Sequence, residues 1–309
     1  MVKMKLTLLS DGQIWGNDKE PQLEVIRKYG TRAAVTDLCV LTGSDFCNFW
    51  TRSDNGNGEV RIVNGYGDRV SKHLIDGNAS AVRPVLQSSV IFSQISPNRV
   101  RGYNGTEEVE YGEYPQNAAD SRMQNILESE YNNRGMNKTG RSYTFDSVKY
   151  DYYDTEIKPV TYEEYEYQGK KYIRIKANFC YEFGKFKLSN GVKYRDSDYV
   201  WVEVSPVKWL IDDKTGILIS KKGLVSGIRF FGKSTFYEGD FDRTEMKEYL
   251  DEYMLRDLTQ TATFTRVQNM TPEEKAKFEE EQKQAERRNP YGFNFDGVSE
   301  EDIIKGAVE

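Results

Sequence analysis

The stretch Trp201–Phe231, WVEVSPVKWLIDDKTGILISKKGLVSGIRFF, decides the fold class. Two runs rich in Val, Ile, Leu and Trp flank the turn Asp212-Asp213-Lys214-Thr215-Gly216. That pattern predicts a β-hairpin with Trp201 and Trp209 in its core. Upstream, Thr139–Val200 is rich in tyrosine. Tyr165 and Tyr167 alternate with Glu164 and Glu166, Gln168-Gly169 offers a turn, and Ile173 and Ile175 alternate with Arg174 and Lys176. This predicts a second hairpin with one wet face. Downstream, Asp242-Arg243-Thr244-Glu245 starts a helix that carries Met246, Tyr249, Leu250, Tyr253 and Met254.

Further from the hairpin, Val109–Gln116 reads as a short strand stopped by Pro115. A helix follows near Ala118–Arg134, with Met123, Ile126, Leu127 and Tyr131 facing the core and Gly135 closing it. Residues 96–108 are polar, with Pro and Gly, and read as a linker. Residues 1–95 form a mixed unit: a strand at Leu6–Leu9, a helix between Pro21 and Gly30, and short strands at Asn48–Arg52, Val60–Val63 and Val82–Leu86. Polar Gly/Asn loops separate them at Ser53–Gly58 and Asn64–Asn78. The fold class expected is α+β, with antiparallel sheets and a few helices.

Composition limits the function classes. The 309 residues carry a net charge of −6, with acidic and basic residues interspersed. No basic stripe stands out, so nucleic acid is not the expected partner. No window is apolar enough for a membrane span, and the N-terminus lacks a signal h-region. The expectation is a soluble product made in the cytoplasm. The 21 Tyr and 15 Phe suit both a sheet core and a contact surface. Cys39, Cys47 and Cys180 form no disulfide framework, and His73 is the only histidine, so neither a zinc site nor a cofactor is expected. All three cysteines read as structural thiols in apolar or β-rich contexts.

Several short motifs together carry a resemblance. They are Tyr111–Gln116 (YGEYPQ), Pro206–Leu224 (PVKWLIDDKTGILISKKGL), Arg243–Tyr253 (RTEMKEYLDEY), Leu6–Ser10 (LTLLS), Phe49–Ser53 (FWTRS) and Ala81–Leu86 (AVRPVL). In this set the chain resembles a bacterial and phage family of domains of unknown function, itself similar to the C-type-lectin-like fold of formylglycine-generating enzymes. The motifs span most of residues 1–258, but their order is reversed: what closes the family's domain precedes what opens it. The resemblance implies a circularly permuted C-type-lectin-like domain over residues 1–265. Its halves are 1–95 and 109–265, or two half-domains completed by partner chains, with a Tyr-rich β insertion at about 139–200.

Two functions follow from the resemblance. The first is a non-enzymatic binding or structural module, a component of a phage virion or microbial surface assembly. The second is a divergent enzyme of the formylglycine-generating type. That chemistry uses a copper-holding cysteine pair, and Cys39 and Cys47 do not match its spacing. The candidate ligand-binding set is Trp50, Arg52, Asp54, Asn55, Asn57 and Tyr66, on or beside polar loops, with a carbohydrate or cell-surface ligand in view. Asp54, Asn55, Asn57 and Glu59 also stand at calcium-like spacing, which a Gly/Asn turn explains as well. Arg83, in the RP pair, reads as a clamp between sheet and loops.

From Met270 the chain is strongly charged. Its helical part, residues 266–309, lacks a continuous apolar stripe. Tyr291, Phe293, Phe295, Ile303 and Ile304 are the expected anchors by which this tail docks on other protein subunits, as a homo- or hetero-oligomer.

Overall fold

A computed structural model describes residues 5–43, 47–72, 80–87, 100–101, 106–150, 155–178, 188–195, 197–231 and 236–259. The tail anchors Tyr291, Phe293, Phe295, Ile303 and Ile304, together with His73 and Cys180, lie outside them. The described chain is α+β, as its hairpin patterns require.

Strand β12, Tyr199–Asp212, is the centre of a nine-stranded antiparallel sheet. Along one edge it pairs β8, Glu107–Ala118. Along the other, its first half pairs β11, Lys170–Lys176, and its second half pairs β13, Ile217–Ser220. Outward from β11 follow β10, Thr155–Tyr167, and β9, Asn137–Tyr150. Outward from β13 follow β6, Val85–Gln87, and β1, Lys5–Thr7. Val100–Arg101 (β7) pairs the start of β8. Strands from residues 5–87 and from residues 107–220 therefore share one sheet.

Strand β8 and the expected linker depart from the sequence expectations. Pro115 does not stop β8. Gln116, Asn117 and Ala118 continue the strand beyond it, and the register with β12 shifts between Glu203 and Val204, beside Pro115. A proline without an N–H is tolerated where a ladder is irregular. Part of the expected linker 96–108 is also strand, through β7 and the first residues of β8.

The sheet is covered on both faces, which explains the run of apolar residues in β12 and β13. Trp209, Ile211, Leu218, Leu86 and Leu6 face the main core, with Val202 and Ile173 further along it. Over that core lies helix α5, Glu245–Tyr249, which continues through a π-helical turn at Leu250–Met254 and on to residue 259. It buries Met246, Tyr249, Leu250, Met254 and Leu258. Thr244 is its N-cap and accepts the Lys247 amide, so the cap sits at Thr244 rather than at Asp242. Asp257 near its end accepts the Thr144 amide on β9 at 3.1 Å, covering part of that edge strand.

On the opposite face at the β13 end, Leu210, Ile217, Ile219 and Val85 pack with Leu9, Ile14, Val25 and Ile26. These come from α1, Asp11–Trp15, and α2, Glu24–Tyr29, with their flanking residues. The α1 helix was not expected, although Ser10 and Gln13 make a complete capping box. A short α3, Asp37–Leu41, and the parallel pair of β2, Ala34–Val35, with β14, Lys222–Gly223, complete this side.

Both faces of the hairpin β10–β11 carry buried residues, where one wet face was expected. Ile173 and Ile175 face the main core together with Glu164, which is fully buried. Tyr165, Tyr167, Tyr172 and Trp201 face α4, Ser121–Asn133, which lays Leu127, Met123 and Tyr131 across them. A separate antiparallel sheet is formed by β3, Phe49–Asp54, β4, Val60–Val63, and β5, Arg69–Lys72. The last of these strands lies within the expected loop Asn64–Asn78.

Candidate functional site

The six residues expected to bind ligand sit on the β3–β4–β5 sheet, but the fold does not gather them. Trp50 is fully buried, its ring 5.1 Å from that of Phe230. Arg52 donates through Nε to the Leu8 carbonyl at 3.1 Å and reaches Glu20 at 3.6 Å. At the β3–β4 turn, Asp54 accepts the Gly56 amide, and Asn55 accepts those of Asn57 and Glu59. Of the side chains at calcium-like spacing, Asp54, Asn55 and Glu59 are thus engaged in closing the turn. Among the described residues no group of three or more His, Cys, Asp or Glu side chains is arranged to hold a metal. Tyr66, 76% exposed, stands at the β4–β5 turn, at the other end of β4. A four-residue strand separates the two turns by about 13 Å.

Arg83 is buried beneath the same region. Its Nε donates to the Ser220 carbonyl at 3.0 Å, and its guanidinium lies 5.1 Å from the Phe49 ring centre. Burial pushes it down to about 10. It ties the RP strand to the hairpin, the clamp role read from the sequence. Cys39 is buried among α1, α2 and Phe49, whereas Cys47 is exposed, contrary to the expectation that both are buried structural thiols. Cys47 lies just before β3 in the chain, where the loop reaches the surface.

Between β8 and the β9–β11 strands lies a buried polar network. Arg141 donates to Glu113 at 3.0 Å and to the Tyr143 hydroxyl at 2.7 Å, and Tyr143 donates to Glu164 at 2.8 Å. Thr139 donates to the other Glu164 oxygen, and Lys171 donates to Glu113 at 2.7 Å. Burial pushes the Tyr143 hydroxyl well above its ordinary range. For Glu113 burial pushes upward too, but bonds from Lys171 and Arg141 outweigh it and hold the carboxyl low. Both Glu164 oxygens accept bonds from within the sheet, so the network ties β9 to β10 and, through Arg141 and Glu113, to β8.

A cleft of 370 Å³ opens elsewhere, between α4 and residues 192–194 and 198–201, the last of these at the start of β12. Its floor is a stack. Arg174 lies 3.7 Å from the Tyr199 ring centre, and Tyr131, its ring centre 4.9 Å from the same guanidinium, backs it. Glu128 of α4 holds the guanidinium by two bonds, at 2.9 and 2.7 Å, and accepts the Trp201 indole N–H at 3.0 Å. The Arg174 bonds hold Glu128 below its usual range, and Glu128 in turn raises Arg174. Gln124 completes the support by accepting the Trp201 amide and donating to the Trp201 carbonyl.

Comparison with protein-family models, with curated proteins and with solved structures found no match.

The cleft therefore stands on its own geometry. Sequence reasoning placed Trp201 in the core and expected the α4 helix, but missed Tyr199, Arg174 and Glu128 as a set. The available signal was the alternation Tyr199-Val200-Trp201-Val202 opposite Tyr172-Ile173-Arg174-Ile175, which puts Tyr199, Trp201 and Arg174 on one face. Helix periodicity puts Glu128 one turn from both Gln124 and Tyr131.

Proposed function

We propose that the chain is a binding module on a permuted C-type-lectin-like body, a component of a phage particle or microbial surface assembly. The carrying observation is the cleft: its charged floor is internally paired, Arg174 with Glu128, while half of Tyr199 remains exposed. Such a floor offers shape, stacking and hydrogen bonds, the equipment of recognition. Support for the body comes from strand neighbours. The segment resembling the family's opening strand, in β8, lies beside the hairpin strand β12. The one resembling its closing strand, in β6, lies beside the hairpin's other strand, β13. The tail from residue 266 is the docking element for further subunits.

The test is retention on immobilised full-length chain of microbial cell-envelope fractions, separated into polysaccharide, peptidoglycan and protein. Retention of one fraction by the wild type and its loss in Arg174→Ala is the expected result. If no fraction is retained, or Arg174→Ala retains as much as the wild type, the reading fails.

A further inference from the structure

Resting on the reading as a binding module, we infer that the cleft between α4 and residues 192–194 and 198–201 takes a neutral, hydroxyl-rich ring: a hexopyranose unit of a glycan. The ring platform is built before any ligand arrives. Arg174 covers one face of Tyr199, yet the residue is 52% exposed, so the opposite face is open. Because Arg174 is held in turn by Glu128 and Tyr131, little freedom of the platform remains to be lost on binding. The rim is fixed as well. Ser197 sits in the left-handed region at φ 67°, its amide donating to Ala177 at 3.1 Å, and the Ala177 amide donates to Asp198 at 2.8 Å.

Charge decides the ligand class. The charged residues lining the cleft are Glu128 and Asp198, Arg174 and Lys193, so acids and bases balance. An anion would meet Asp198 and Glu128, and a cation would meet Lys193 and Arg174. A purely apolar ligand would strip water from all four without replacing its hydrogen bonds. The groups left for a ligand are polar and small in number. Among the described residues nothing pairs with the Lys193 ammonium or the Asn125 amide. Asp198 commits only Oδ2, to the Arg195 amide at 2.8 Å. A flat ring edged by hydroxyls satisfies both demands, its C–H face on Tyr199 and its hydroxyls on Asn125, Asp198 and Lys193. The volume of 370 Å³ lies at the small end of ligand sites and suits a mono- or disaccharide.

The experiment uses the full-length chain on an array of neutral and acidic glycans, followed by calorimetric titration with the best-bound neutral disaccharide. Binding of neutral glycans is expected, weakened about tenfold or more by Tyr199→Ala and by Asn125→Ala. Tyr199→Phe, which restores the ring, should recover the binding that Tyr199→Ala loses, and Val70→Ala, on the separate β3–β4–β5 sheet, should bind as the wild type does. Melting temperatures unchanged in the variants tie the loss to the cleft. Binding confined to acidic glycans, no glycan binding at all, or full binding by Tyr199→Ala would each overturn the inference. Retention of an envelope protein fraction that Arg174→Ala abolishes, with no glycan bound, would overturn the ligand class and leave the binding-module reading standing.

Discussion

The Asp212 carboxylate accepts the backbone amide of Val25 at 3.0 Å, across 187 positions of chain. Helix α2 needs this, because its own N-cap residue, Leu23, has no side-chain oxygen to offer. The other Asp212 oxygen accepts the amide and hydroxyl of Thr215, closing the hairpin turn. One buried side chain thus joins the first half of the chain to the second. Asp212→Ala orphans both sets of donors and is expected to cost about 2–4 kcal/mol. Urea unfolding measures it, and a loss below about 0.5 kcal/mol would contradict the capping role.

Gly112 and Gly58 make a contrasting pair. Both have positive φ, +68° and +82°. A Cβ on Gly112 would stand 2.6 Å from the Leu258 carbonyl oxygen, part of a buried helix end that cannot yield. On Gly58 it would meet the half-exposed side-chain ring of Phe236 instead of backbone. Gly112→Ala should therefore cost well over 2 kcal/mol and Gly58→Ala about 1 kcal/mol. Equal melting temperatures for the two variants would refute the distinction.

Asp257 sets a pH dependence of unusual sign. Burial raises its carboxyl from 3.8 to about 6, against the pull of Arg256 and the Thr144 amide. The fold then favours the protonated form, so this group's stabilisation is complete below pH 3.8 and disappears as pH rises through about 6. The span corresponds to about 3 kcal/mol. Glu113, held low by its cations, acts in the opposite sense and loses its contribution as the solution is acidified. Denaturation curves between pH 4 and pH 7 should show the Asp257 slope in the wild type and its absence in Asp257→Asn.

Thiol chemistry separates the two described cysteines. Cys47 is exposed and should react with a disulfide reagent at once, while Cys39, fully buried, should wait for unfolding. Prompt labelling of Cys39 in the native protein would show that its surroundings open.

Fragments test the shared sheet. Strand β6 lies between β1 and β13, and β13 belongs to the hairpin of the second half. Residues 1–95 and 109–265 expressed apart should each lack a cooperative melt, and mixing them should restore one. Two independent cooperative transitions would mean that each half is its own domain.

The elements with strong local signals were legible in the sequence. The β12–β13 hairpin, the Gln168-Gly169 turn, α4 and α5 follow from alternation, turn residues and period. What was not legible came from pairings between distant residues. Glu164 alternates with Tyr165 as if it faced water, yet Arg141, Tyr143 and Thr139 from β9 make a buried place for it. Tyr199, Arg174 and Glu128 belong to three elements, and only the register of β11 with β12 brings them together. The π-helical turn at Leu250–Met254 likewise has no local cue, since Leu250 and Met254 fit an ordinary amphipathic helix. The polar loop set failed to converge for a simple reason: a strand with a turn at each end carries its turns in opposite directions.

The placement of β6 also dictates an order of events during synthesis. Its partner β13 emerges roughly 130 residues later, a delay of about 7–26 s at ordinary rates of translation. Through that interval β1 and β6 can pair only with each other, and their apolar face, Leu6 and Leu86, has no hairpin to meet. A nascent chain of this design is expected to need shielding of that face until the hairpin arrives. Its yield in a cell should then respond to ribosome speed and chaperone supply more than to the stability of the finished fold.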